Sequence, residues 1–135
     1  MRSNAHQNYL ENEILTAEPL KLVVLLYQGA LDAIAAARWQ GESLNRPARS
    51  QSIRKALNIV SELNRSLDMA KGGEVSAQLA KLYGYIARRL QAANKDWSDA
   101  PLAESERLLS TLLEAWKEAS DSAPRSEYAH VDFAW

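Results

Sequence analysis

The stretch Ser66-Leu67-Asp68-Met69-Ala70-Lys71-Gly72-Gly73-Glu74 joins two strongly apolar-periodic segments. Gly72 and Gly73 can adopt the positive φ that closes a helix without a Cβ penalty. Glu74 then falls in the first turn of the following helix, where its charge suits the positive end of the dipole. A join this short makes its two helices antiparallel neighbours. The segments on either side must then pair with that hairpin or cover it.

Working outward, the periodicity predicts a helix from about Arg46 to Ala70 and another from about Glu74 to Lys95. In the first, Ile53, Ala56, Leu57, Ile59, Val60, Leu63 and Leu67 cover an arc of about 160°. In the second, Val75, Leu79, Leu82, Tyr83, Tyr85, Ile86, Leu90 and Ala93 cover a similar arc, about 160°. Gly84 interrupts this face, and a close backbone approach there would explain it.

Upstream, Pro19 opens a helix reaching about Trp39; its missing N–H costs nothing at a first helical position. Leu20 and the run Leu22 to Tyr27 point nearly all round the axis, the pattern of a buried helix. Gln40 to Pro47 reads as a polar loop with Gly41, Ser43 and Asn45 as breakers. Downstream, Asp99 or Ser98 caps a fourth helix with Pro101 in its first turn. Leu102, Leu108, Leu109, Leu112, Leu113 and Trp116 supply its face, and it should fade near Ala119. The predicted fold is all-α: an antiparallel up-down-up-down four-helix bundle over residues 19–119. A short N-terminal arm (1–18) precedes it, and an irregular, flexible, aromatic C-terminal tail (120–135) follows.

Composition narrows the function. The 135 residues carry a net charge of −1, so there is no electrostatic footprint for nucleic acid or an anionic membrane. No cysteine is present, which excludes disulfides and thiolate chemistry. The N-terminus lacks the apolar core of a secretory signal, and the run Leu22 to Tyr27 is too short to span a bilayer. A cytoplasmic protein is expected.

Catalytic and metal-binding chemistry finds no support. Both histidines, His6 and His130, fall in the predicted tails, and the inward Glu-x-x-His pairs of a di-iron bundle do not occur. Gly72-Gly73 lacks the flanking residues of a phosphate loop. Asp68 and Glu74 supply too few oxygen ligands for a cation. No catalytic residue, metal or cofactor is expected. The wide apolar arcs beside the Gly-Gly join leave two readings: a generous core, or a groove for another amphipathic segment. Tyr9, Ile14 and Leu15 could fill such a groove when no partner is bound.

The motif series resembles the FliS family of flagellin-specific export chaperones. It runs through Tyr9, Glu11-Asn12-Glu13-Ile14-Leu15-Thr16-Ala17, Pro19 and Leu26-Tyr27-Gln28-Gly29-Ala30. It continues with Glu62-Leu63, Ser66-Leu67-Asp68, Gly72-Gly73-Glu74, Leu82-Tyr83, Ala93-Asn94 and Glu114-Ala115-Trp116. This chain departs from the family pattern at Glu18, Gln28, Gln78 and Gly84.

The resemblance implies a four-helix bundle without enzymatic activity. It implies binding of the C-terminal segment of flagellin in the cytosol, prevention of premature polymerisation, and delivery to the flagellar type III export apparatus. Tyr9, Ile14 and Leu15 are then the displaceable arm. Leu57, Val60, Leu79, Tyr83 and Ile86 form the groove, with Leu108 and Leu112 contributed by the fourth helix. Further candidate partners are the export gate and flagellar regulatory proteins, and the expected state is a monomer or weak homodimer. The alternative is an interaction module of the same fold serving another secreted or regulatory flagellar protein.

Overall fold

The computed structural model describes residues 19–122. Four helices follow in order: α1 (Pro19–Glu42), α2 (Arg46–Arg65), α3 (Met69–Asp96) and α4 (Ala100–Ser122). Each joins the next through three residues, so successive helices run antiparallel. α1 packs on α2 and α4, and α3 packs on the same two from the opposite corner. This is the expected bundle.

Its core is built from one stripe per helix. Leu20, Val23, Tyr27, Ala30, Ile34 and Ala37 of α1 face Ile53, Ala56, Val60 and Leu63 of α2. Leu79, Tyr83, Ile86, Leu90 and Ala93 of α3 and Leu102, Leu109, Leu113 and Trp116 of α4 complete it. By length and composition alone α1 could cross a membrane. Here its apolar stripe is the wall of the core, although Leu22, Val24, Leu25 and Leu26 are only half-buried rather than enclosed on every side. Gly29 is the point where α1 and α2 draw close: a Cβ there would stand 3.2 Å from Ile59 Cδ1.

The joins differ from expectation in instructive ways. α1 runs through Gly41 to Glu42, and Leu44 at φ 58° closes the turn. Gly41 does not break the helix; it clears space for Arg49, whose Nε would lie 3.1 Å from a Cβ at that position. α2 ends at Arg65, short of the expected Ala70, because local side chains take over the backbone. Ser66 Oγ donates to Glu62 O at 2.8 Å, and Asp68 Oδ1 accepts the Lys71 N–H at 3.0 Å. Residues 69–72 thus make a separate helical turn.

Gly73, at φ 54° and ψ −125°, then breaks the helical path before α3 proper begins. Only Gly73 uses the freedom expected of both glycines. Ser76 Oγ closes the corner by donating to Asp68 O at 3.0 Å. α4 continues to Ser122, beyond the expected end at Ala119.

Candidate functional site

A groove of about 350 Å³ runs between α2 and α3. Its α2 wall is Leu57, Asn58, Val60, Ser61 and Asn64; its α3 wall is Tyr83, Gly84, Ala87 and Gln91. No side chain on either wall is charged. The amides and hydroxyl of Asn58, Ser61 and Asn64 recur at helical spacing along one edge, with Gln91 opposite. Small residues on α3 leave the groove open: a Cβ at Gly84 would meet nothing nearer than Arg88 Nη1 at 3.6 Å. Gly84 therefore does not mediate a close helix approach; it leaves room.

Tyr83 anchors the floor. Its ring is buried, and its hydroxyl lies 2.7 Å from that of Tyr27, across the core on α1. Burial raises both phenols above their ordinary pKa; for Tyr27 the mutual hydrogen bond and the Trp116 indole partly offset the effect. The groove floor is thus fixed to the opposite corner of the bundle through a neutral pair.

Three predicted residues, Leu57, Val60 and Tyr83, are brought together here. Leu79 and Ile86 lie in the core beneath and do not line the groove; Ile86 has no exposed surface. Leu108 and Leu112 are half-buried on α4, beside α3. Tyr9, Ile14 and Leu15 lie outside the described residues. The sequence reading missed Asn58, Ser61, Asn64, Ala87 and Gln91. A signal existed: the uncharged polar stripe 58, 61, 64 sits beside the apolar face of a helix otherwise rich in charge.

A second cavity, about 300 Å³, lies at the end of the bundle that carries the α1–α2 and α3–α4 joins. Arg38, Arg49 and Asp99 of its lining are already engaged. Arg38 makes a bidentate pair with Asp99, both bonds 3.0 Å, and reaches Glu106 at 2.7 Å. Asp99, a candidate helix cap by sequence, directly precedes α4, where its carbonyl accepts the Ala103 N–H at 3.0 Å and its carboxylate receives Arg38. Arg49, only 3% exposed, donates to Ala93 O at 3.0 Å and Ser98 O at 2.7 Å. Those carbonyls belong to the last turn of α3 and the join that follows, where a helix leaves acceptors unsatisfied and favours a cation. The guanidinium carbons of Arg46 and Arg49 each lie 4.5 Å from the ring centroid of Trp97, the left-handed residue ending α3. This end is locked by its own contacts.

Among the described residues no group of three or more acidic or histidine side chains could hold a metal. The α2–α3 groove presents an apolar floor between uncharged polar edges.

The family described as flagellar protein FliS matches residues 1–123. The flagellar secretion chaperone FliS of Salmonella typhimurium is 37% identical over 119 residues, covering 87% of this chain and 88% of that protein. The flagellar secretion chaperone FliS of Bacillus subtilis is 33% identical over 125 residues, covering 93% and 92%. The flagellar secretion chaperone FliSB of Pseudomonas aeruginosa is 35% identical over 107 residues, covering 79% and 85%. With the four-helix architecture and a match over most of its length, the chain belongs to the FliS family of flagellar secretion chaperones.

Proposed function

We propose that this protein is a cytosolic chaperone that holds the C-terminal segment of newly made flagellin, prevents its premature polymerisation and delivers it to the flagellar type III export apparatus. The α2–α3 groove is one seat of that segment. The observation that carries the reading is a groove with an apolar floor and uncharged walls, on a chain matching a family of flagellar secretion chaperones. A segment that is unstructured before assembly must lose conformational freedom when captured. Burial of its apolar side chains against Leu57 and the Tyr83 floor would offset that cost, while the amides of Asn58, Asn64 and Gln91 would meet its backbone groups. No nucleotide or metal is needed for such capture; release would follow from competition by the next partner.

The test is calorimetric titration of the full chain with the flagellin C-terminal segment of the same organism. Saturable binding near one to one, with a negative heat-capacity change, is expected. A folded chain that takes up no flagellin segment at micromolar concentration would overturn the assignment of client.

A further inference from the structure

Val75 is out of place for an exposed residue. It precedes Leu79, Leu82 and Ile86 by four, seven and eleven positions, which puts it on the inward stripe of α3. Yet it is 58% exposed. The side of α3 that carries it faces α4: further along, Tyr85 Oη and Arg89 Nε both reach the Glu104 carboxylate, each at 2.6 Å. On α4, Leu108 and Leu112 follow Glu104 at four-residue steps and are half-buried. The α3–α4 seam is therefore closed by polar contacts at one end and open at the other, where Val75 lies.

That open end is where α4 finishes. Because α3 and α4 are antiparallel, Ser122 lies at the level where α3 begins, and residues 123–135 continue from there. Tyr128 is six residues on, an extended reach of about 20 Å. Neighbouring helix axes stand about 8–10 Å apart. Val131, Phe133 and Trp135 alternate, so an extended chain would present all three on one side. The N-terminal arm leaves the same end of the bundle, but from α1, which packs on α2 and α4 and lies diagonal to α3.

We propose that residues 128–135 fold back into the open end of the α3–α4 seam of the same chain and cover Val75. This contact goes beyond the client reading and is separate from the α2–α3 groove. It makes the tail an internal competitor for any partner that uses the seam.

The chain has no cysteine, so pairs can be introduced without background. The full chain carrying Val75→Cys and Phe133→Cys would be oxidised mildly and the rate of intramolecular cross-linking measured. The reference pair is Asn58→Cys with Phe133→Cys, on the α2–α3 groove. A tethered docked pair should cross-link at least about tenfold faster than the reference, through its higher effective concentration. Gln78→Cys, three residues further along α3, repeats the reading should Val75→Cys disturb the cooperative melt. Equal rates for the two pairs would overturn the proposal. So would faster closure of Tyr9→Cys with Val75→Cys, which would give the seam to the arm. Cross-links between chains that scale with concentration would give the seam to a second copy, and the proposal would fall in that case too.

Discussion

The hydroxyls of Tyr27 and Tyr83 meet 2.7 Å apart in the bundle core, with ring centroids 6.4 Å apart and planes inclined at 62°. The pair couples diagonal helices that otherwise touch little, and it places a hydrogen bond under the groove. Removing one hydroxyl takes one hydrogen bond from the other, with the Trp116 indole still beside Tyr27, a cost of about 1 kcal/mol. Tyr83→Phe should therefore destabilise by that amount in urea denaturation. Tyr27→Phe together with Tyr83→Phe should cost less than the sum of the single changes. Both phenols are held protonated in the folded chain, whereas an unfolded chain releases those protons above about pH 10. Stability should thus fall as pH rises through about 10, and the double variant should show a flatter alkaline limb.

Arg49 fills the end of α3 while stacking on Trp97. Burial pulls its guanidinium below the ordinary arginine value, with the Asp99 charge opposing. Arg49→Ala would remove a charged donor from Ala93 O, which keeps the backbone N–H groups of Trp97 and Ser98, would take the same donor from Ser98 O, and would empty the space that Gly41 leaves, a loss of about 3 kcal/mol. A fall in Tm of roughly 10 °C is expected. Arg46 makes the same ring contact from an exposed position, so Arg46→Ala should cost under about 1 kcal/mol. Thermal melts of the two variants separate the buried role from the exposed one.

How much of this is legible in the sequence follows from which physics decides each feature. The four stripes are readable, because burial imposes its period on the sequence. Helix ends are less so: at Ser66 and Asp68, side-chain bonds to backbone groups end α2 early, and apolar spacing carries no trace of that competition. Gly41 shows the same limit, since its reason is an arginine eight residues on. Of the candidate site, Leu57, Val60 and Tyr83 are legible because a groove floor shares the core's periodicity. Ile86 and Leu79 fall in with them for the same reason, since spacing alone does not rank depth. The polar edge at Asn58, Ser61 and Asn64 escapes a reading built on apolar periodicity, because uncharged polar residues also populate ordinary solvated helix faces.

Glu104 accepts from both Tyr85 and Arg89, and these bonds hold its carboxyl below the usual glutamate value. A folded-state pKa below the unfolded one gives stabilisation that is present above the unfolded value and lost as pH falls through the folded one. Acidification below about pH 4.5 should therefore weaken the α3–α4 seam. Glu104→Gln should lower stability at neutral pH and flatten the acid limb, as read by denaturant midpoints between about pH 3 and pH 7.

Ser105 Oγ is buried on α4 and makes no hydrogen bond among the described residues. A hydroxyl desolvated without a partner is a cost, and alanine is also the better helix former. Ser105→Ala should raise stability by about 1 kcal/mol, seen as a Tm higher by about 3–5 °C. A lower Tm would show that the hydroxyl has a partner that matters.

Gly84 separates stability from partner capture. Its position is helical and faces open groove rather than packed neighbours, so Gly84→Ala gains helix propensity of about 1 kcal/mol with no clash. Gly84→Leu should fold as well, but its side chain would occupy the space between Leu57 and Gln91. If the flagellin segment seats in this groove, Gly84→Leu should weaken binding by about tenfold or more, roughly the contribution of one buried apolar contact. Gly84→Ala should bind much as the unaltered chain does. Titration of both variants, alongside their thermal melts, decides the matter. Full-strength binding by a folded Gly84→Leu chain would place the client elsewhere on the bundle, with the α3–α4 seam around Leu108 and Leu112 as the remaining apolar track.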